Sequence, residues 1–268
     1  MAIKVEQENH HHGHDVGERL YLHRHSLVHS LPSHLKIIAA VAFIVVVVST
    51  PVTQWQAFIA YFAWLLSVVK VAKIPFLLLF KRALIEVPFI FFAILMPFFG
   101  TGEKFEIAGL ELHREGLLAG TSIVVKGTLG VLAAVILSTT TTAREILRGL
   151  ERLKLPTVMV QIASFMLRYV NVISDEMERM KIARESRGFV ASSIKHWKVL
   201  ATTASALFIR SYERGERVHL AMLSRGFDGN LPSLDNHRAT RKQWIVALSL
   251  PILALVLSLL FSVIGWSK

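Results

Sequence analysis

The chain has 268 residues, 53% of them hydrophobic, and its mean hydropathy of +0.50 is too high for an ordinary soluble domain. The formal net charge of +11 is typical of either a nucleic-acid-binding protein or a membrane protein. The sequence contains no cysteine, which excludes disulfides, thiolate zinc sites and cysteine nucleophiles.

The first 34 residues are polar and rich in histidine. Imidazole is a good ligand for cobalt, nickel, copper and zinc. A cytoplasmic metal-binding tail is one interpretation, and a solvated tail without a selected role, or a tag remnant, is the other. The candidate metal ligands are His10, His11, His12 and His14.

Apolar residues occur in long blocks, and the basic residues lie between those blocks. A helix needs about 20 largely apolar residues to cross a bilayer. The blocks of this length or nearly so are 35–50, 52–69, 83–100, 117–138 and 244–264. This pattern predicts an all-α membrane protein with about five transmembrane helices, and it explains the positive charge without a nucleic-acid partner.

Loop charges give an orientation for these spans. The link between the second and third spans is basic and has no acid, whereas the next link has more acids than bases. Basic loops stay in the cytoplasm, so the N-terminus is predicted inside and the C-terminus outside. The predicted segments are a cytoplasmic tail at 1–34, four spans within 35–138, a cytoplasmic helical domain at 139–243 and a last span within 244–268.

Two of the spans contain charged residues. Lys126 lies within the fourth span, where intramembrane charge indicates function by default. Small residues on the same span permit close helix contact, either with another subunit or within the chain. The candidate packing residues are Gly120, Lys126, Gly127 and Gly130. Glu86, near the inner end of the third span, is expected to extend toward the interface.

The insert at 139–243 is predicted to be helical. Polar residues recur at spacings of three and four over 157–175, which predicts a helix with one narrow polar stripe. A second long helix is predicted over about 193–225.

Each of these helices ends in the pattern Ala-x-x-Ser-Arg-Gly-Phe, at 183–189 and again 38 residues later at 221–227. Glycine is a common helix terminator, and arginine in a last turn is favourable with the helix dipole. One copy is therefore compatible with an ordinary helix end, but two copies in matching frame predict two equivalent docking surfaces. The candidate docking residues are Ala183, Ser186, Arg187, Gly188, Ala221, Ser224, Arg225 and Gly226.

These two motifs, together with Leu155-Pro156, Arg168-Tyr169 and 210–214, resemble the transmembrane T component of energy-coupling factor (ECF) transporters, in particular the cobalt/nickel-type CbiQ branch. The resemblance implies a non-catalytic subunit of an ATP-driven importer in the bacterial inner membrane. It implies that two long coupling helices dock on two ATP-binding-cassette (ABC) subunits through Arg187 and Arg225. It also implies a membrane substrate-binding subunit as a further partner, and ATP and magnesium bound by the ATPases, not by this chain.

Other function classes fit the sequence less well. No Gly-x-x-x-x-Gly-Lys-Ser/Thr loop is present, so ATP binding by a P-loop is not expected. No His-Glu-x-x-His or Gly-x-Ser-x-Gly motif indicates an intramembrane enzyme. A vitamin-type ECF transporter and a stand-alone secondary transporter or channel remain as alternatives, although the second class typically has inverted repeats.

Overall fold

The structure is a computed structural model, and the residues that it describes are 21–22, 26–99, 104–107, 110–189, 196–229 and 239–266. The predicted all-α membrane fold is confirmed, with one short β-hairpin added to it. The helices are α1 Ser33–Ser49, α2 Trp55–Val71, α3 Phe76–Ala83, α4 Val87–Phe99, α5 Arg114–Thr140, α6 Ala143–Arg152, α7 Thr157–Glu185, α8 Trp197–Leu223 and α9 Arg241–Trp266. The chain forms two compact units, of which the larger contains α1–α6 and α9 and the smaller contains α7 and α8.

The hairpin lies in the link between the third and fourth predicted spans. Strand β1, Lys104–Ile107, pairs antiparallel with β2, Leu110–His113, so that Lys104 lies opposite His113. Sequence analysis did not predict these strands. The apolar link at 74–80, between the second and third predicted spans, contains the start of the separate helix α3.

Among the described residues, three helices are long and apolar enough to cross a membrane by length and composition: α5, α7 and residues Arg241–Ser262 of α9. Helices α1 and α2 are apolar but have 17 residues each, which corresponds to roughly 25 Å at helical rise. Helix α4 has 13 residues. Helix α7 meets the criterion although sequence analysis predicted it outside the membrane, because its polar residues form one narrow stripe on an otherwise apolar helix. It is the least apolar of the three.

The core of the larger unit lies where α1, α2, α5 and α9 meet. Tyr61 is almost fully buried, and its ring makes edge contacts with Phe43 and Phe58. Its hydroxyl donates to the Ala254 carbonyl oxygen at 3.1 Å and lies 3.2 Å from Thr50 Oγ1. The same side chain therefore joins α2 to α9 and to the turn that follows α1.

A run of threonines ends α5 and begins α6. The Thr142 side chain accepts a hydrogen bond from the Glu145 backbone N–H, and Glu145 Oε2 accepts one from the Thr142 N–H. This reciprocal capping box starts α6 directly after α5. Because α6 packs against α1, it belongs to the larger unit and not with α7 and α8.

Candidate coupling site

The first predicted motif forms a tight, glycine-closed turn at the carboxyl end of α7. The Gly188 N–H donates to the Glu185 carbonyl oxygen at 2.9 Å, and the Phe189 N–H reaches back to the Arg184 carbonyl oxygen at 3.1 Å. These two bonds are those of a Schellman motif, in which a left-handed residue ends the helix. Gly188 is that residue, with φ of +76°.

The second motif forms the same turn at the end of α8. The Gly226 N–H donates to the Leu223 carbonyl oxygen at 3.0 Å, the Phe227 N–H donates to the Met222 carbonyl oxygen at 3.1 Å, and φ of Gly226 is +80°. The serine hydroxyls are matched as well. Ser186 Oγ donates to the Ala183 carbonyl oxygen at 3.1 Å, and Ser224 Oγ to the Ala221 carbonyl oxygen at 3.0 Å.

Both motifs also present the same side chains to the surface. The alanine, serine, arginine and glycine of each copy are exposed, and the phenylalanine is half-buried. Within the described part of the chain, neither Arg187 nor Arg225 makes a side-chain hydrogen bond or ion pair. Each guanidinium therefore extends from a rigid helix end with its five N–H donors available to an acceptor from outside.

Helices α7 and α8 run antiparallel. Arg184 Nη1 donates to Thr203 Oγ1 at 3.1 Å, and Arg210 Nη1 donates to Glu176 Oε1. The Gln161 side chain donates to the Gly229 carbonyl oxygen at 2.7 Å. In these three contacts the residue number increases along α7 while the number of its partner decreases from 229 to 203. The carboxyl ends of the two helices therefore point in opposite directions.

The two motifs therefore lie at opposite ends of the pair. From the contact of Glu176 with Arg210, α7 continues roughly 16 Å to Arg187, and α8 continues roughly 22 Å the other way to Arg225. An antiparallel pair has an approximate two-fold axis across it, and this axis relates one motif to the other. Such a placement suits a partner that is itself two-fold symmetric.

The glycines of α5 are explained in part by contacts within the chain. A Cβ atom at Gly116 or Gly120 would collide with the α4 backbone at Met96 or Ala93, and one at Gly127 would lie 2.5 Å from Glu86 Oε1. Gly130 has open space around it. A role of Gly120, Gly127 and Gly130 in binding another subunit stays a prediction.

Lys126 has a defined partner inside the chain. Its Nζ donates to the Val48 carbonyl oxygen at 2.7 Å, in the last turn of α1. A cation at the carboxyl end of a helix satisfies an otherwise unpaired carbonyl and interacts favourably with the helix dipole.

The prediction that Glu86 extends toward the interface is wrong. This residue is only 3% exposed, and its Oε1 accepts a hydrogen bond from Thr128 Oγ1 at 3.1 Å. The carboxyl group turns inward because Gly127 has no side chain to occupy the space and Thr128 supplies a hydroxyl.

The candidate metal ligands His10, His11, His12 and His14 lie outside the described residues. Within the part that the structure describes, no group of three or more metal-binding side chains is found.

Comparison with known proteins decides the family. The model of the CbiQ family, described as a cobalt transport protein, matches residues 24–234. The chain belongs to this family. Its relatives include the energy-coupling factor transporter transmembrane protein EcfT of Bacillus subtilis, 27% identical over 87% of this chain and 93% of that protein. The cobalt transport protein CbiQ of Rhodobacter capsulatus is 25% identical over 56% of this chain and 61% of its own length.

An uncharacterized protein of Methanocaldococcus jannaschii, MJ1089, is 34% identical over 51% of this chain and 52% of that protein. The chain thus spans about half the length of this relative and almost all of the B. subtilis protein. As a member of this family, the chain is a transmembrane T component of an ECF transporter, and such components are non-catalytic membrane subunits that work with other subunits.

Proposed function

We propose that this chain couples ATP hydrolysis by two ABC-type ATPase subunits to a membrane substrate-binding subunit, in a bacterial inner-membrane importer for cobalt or nickel. The observation that carries the proposal is the pair of identical glycine-closed helix ends at opposite ends of an antiparallel helix pair. Each end presents one exposed arginine with no partner among the described residues. In this proposal each arginine docks on one ATPase subunit.

The mechanism follows from the rigidity of these ends. A helix that is closed by a Schellman turn transmits a displacement at its end along its axis, because the last turn is fixed by backbone hydrogen bonds. Two such ends on antiparallel helices receive equal displacements from a two-fold pair of ATPases. A change in the distance between the ATPases would then move α7 and α8 relative to each other.

The metal substrate is the part of the proposal that rests on the family description and on the CbiQ relative. The relatives named EcfT cover more of this chain and carry no metal in their names. A vitamin-type transporter is therefore the second candidate. Co-purification from the native host, followed by identification of the membrane subunit that accompanies the chain, separates the two, and uptake of cobalt, nickel or a vitamin by that complex confirms the assignment.

Charge reversal at the two arginines tests the docking proposal. A charge-assisted hydrogen bond lost from a desolvated interface typically costs about 2–5 kcal/mol, which corresponds to a factor of roughly 30 or more in affinity. Arg187→Glu and Arg225→Glu should each weaken recovery of the ATPases by about that factor, and the double change should release them or uncouple hydrolysis from uptake. Pull-down of the ATPases and reconstituted transport are the measurements.

Lys242→Glu is the matched control. Lys242 is exposed in the first turn of α9, a helix that carries neither motif, and an acidic residue is favourable there with the helix dipole, so the same charge change should leave folding and docking intact. If the double arginine variant assembles and transports like the wild type, the arginines are ordinary helix-end residues and the docking proposal is wrong.

A further inference from the structure

A largely apolar pocket of about 240 Å³ lies within the larger unit. It is lined at the beginning of α1, the end of α2, the end of α5 and the beginning of α9, so four helix termini share one end of the bundle. In the orientation given by loop charges this is the cytoplasmic end. Two polar residues in its lining, Lys36 and Trp64, have hydrogen-bonding capacity that the described chain does not use.

Lys36 is a buried cation that has no ion-pair partner among the described residues. It is 8% exposed, and its Nζ donates to the Thr140 carbonyl oxygen at 2.8 Å and to the His29 carbonyl oxygen at 3.1 Å. Both acceptors are neutral, and an ammonium group has a third N–H. Glu145 attracts Lys36 electrostatically but is not in ion-pair contact with it, and its Oε2 accepts from the Thr142 N–H.

Trp64 contributes the second unused donor. Its Nε1 is inaccessible to solvent and has no hydrogen-bond partner among the described residues. A buried indole N–H normally finds an acceptor, because leaving it unpaired costs free energy. Trp64 and Lys36 both belong to the lining of the pocket, so an occupant that brings hydrogen-bond acceptors and negative charge would match the donors that these two residues leave unused.

We propose that this pocket binds one anionic phospholipid of the inner leaflet, with an acyl chain along the apolar walls and its phosphate-ester head at Lys36 and Trp64. An apolar lining excludes a free anion as the complete occupant, and the unpaired cation disfavours a neutral hydrocarbon. Basic pockets between transmembrane helices on the cytoplasmic side are typical binding sites for anionic headgroups. Neither Arg187 nor Arg225 takes part, so this site is independent of ATPase docking.

Fluorescence quenching by brominated lipids tests the proposal on the full chain in vesicles. Five tryptophans are present, so a variant that keeps only Trp64, with the other four changed to phenylalanine, isolates the site. Brominated phosphatidylglycerol, diluted in unlabelled phosphatidylcholine, should quench Trp64 saturably at about a fivefold lower mole fraction than brominated phosphatidylcholine. One lysine near an anionic headgroup gives a preference of this size. A variant that keeps only Trp55, which is 63% exposed, should show no such preference.

Three further variants make the result specific. Lys36→Gln should abolish the preference for phosphatidylglycerol while Lys36→Arg keeps it. Ala40→Leu, which enlarges an apolar side chain of the pocket lining and leaves Lys36 and Trp64 in place, should weaken quenching by both lipids. Equal quenching by the two lipids in the variant that keeps only Trp64 and has Lys36 unchanged would overturn the proposal. So would full displacement of the brominated lipid by millimolar inorganic phosphate, because the site would then recognise a free anion.

Discussion

Gly188 and Gly226 adopt the same left-handed backbone conformation, with φ values of +76° and +80°, at the carboxyl ends of two different helices. Nothing in the described chain lies within 4 Å of where a Cβ atom would be at either position. Glycine is therefore required at these sites by backbone conformation and not by lack of space. The two ends are equivalent in hydrogen bonding, exposure and strain, and this is what a symmetric docking role demands.

Alanine at either glycine should loosen the helix end without any steric clash. The left-handed conformation raises the free energy of a residue with a Cβ by about 1–2 kcal/mol. Gly188→Ala and Gly226→Ala should therefore destabilise their helix ends by nearly equal amounts. Hydrogen exchange of the Phe189 and Phe227 amides should accelerate, and ATPase binding should weaken by a factor of roughly 5 to 30. Gly215→Ala is the control, because Gly215 lies inside α8 with open space around it and the change should stabilise that helix. Weaker docking in the control variant would show that the effect is not specific to the helix ends.

The helix ends were predictable from sequence because the chemistry that forms them is local. Glycine, the preceding arginine and the serine hydroxyl all act within one turn, so the repeated pattern sufficed to locate Arg187 and Arg225. The spans α5 and α9 were predicted for a similar reason, since hydropathy is read along the chain.

The features that sequence analysis missed depend on contacts between distant segments. Glu86 turns inward because Gly127 and Thr128 lie opposite it on another helix, and nothing near Glu86 in the sequence indicates this. Lys36 reaches Thr140 across more than a hundred residues. Its position one turn into an apolar helix was a usable signal, since a charge at the edge of a span requires either solvent or a partner.

The glycines of α5 should respond differently to alanine according to what they face. Gly120→Ala places a methyl group against the Ala93 carbonyl, where only backbone movement can relieve the clash, and should destabilise the detergent-solubilised protein by about 1–3 kcal/mol. Gly130→Ala should be neutral or stabilising, because no atom lies near its Cβ. Thermal unfolding measures both. A loss of the substrate-binding subunit in Gly130→Leu, without a change in stability, would assign Gly130 to an intersubunit surface.

The orientation in the membrane has a direct test, because the sequence has no cysteine that would need to be removed. Single cysteines at Ser192 and Thr101 should react with a membrane-impermeant maleimide from opposite sides, with Ser192 accessible only from the cytoplasm. The physical reason is the charge difference between the loops. Labelling of both from the same side would refute the predicted topology, including the placement of α7 and α8 in the cytoplasm.

Removal of the histidine tail should affect metal supply and not assembly. If residues 1–14 only raise the local metal concentration, their deletion should leave complex formation and ATPase activity unchanged and should weaken uptake at limiting metal alone. Changing His10, His11, His12 and His14 to serine gives a control of equal length. Uptake measured over a range of metal concentrations distinguishes the cases, and loss of assembly on deletion would give the tail a structural role instead.

The ion pair between Glu176 and Arg210 should contribute more to the alignment of α7 and α8 than to stability. The side chains are 21% and 61% exposed, respectively, and partly exposed pairs typically contribute 0.2–1 kcal/mol. A double-mutant cycle of Glu176→Gln and Arg210→Gln should therefore give a coupling free energy below about 1 kcal/mol in thermal unfolding.

Charge reversal of this ion pair tests its role in transport. Glu176→Arg alone or Arg210→Glu alone should impair transport, because each places two like charges where the helices meet. The double variant that carries both changes has opposite charges again and should restore transport. The pair Glu178 and Lys181, which lies within α7, is the matched control, and its reversal should leave transport unchanged. If the exchanged Glu176–Arg210 variant stays inactive while its stability is normal, these side chains act through another contact and not through their mutual attraction.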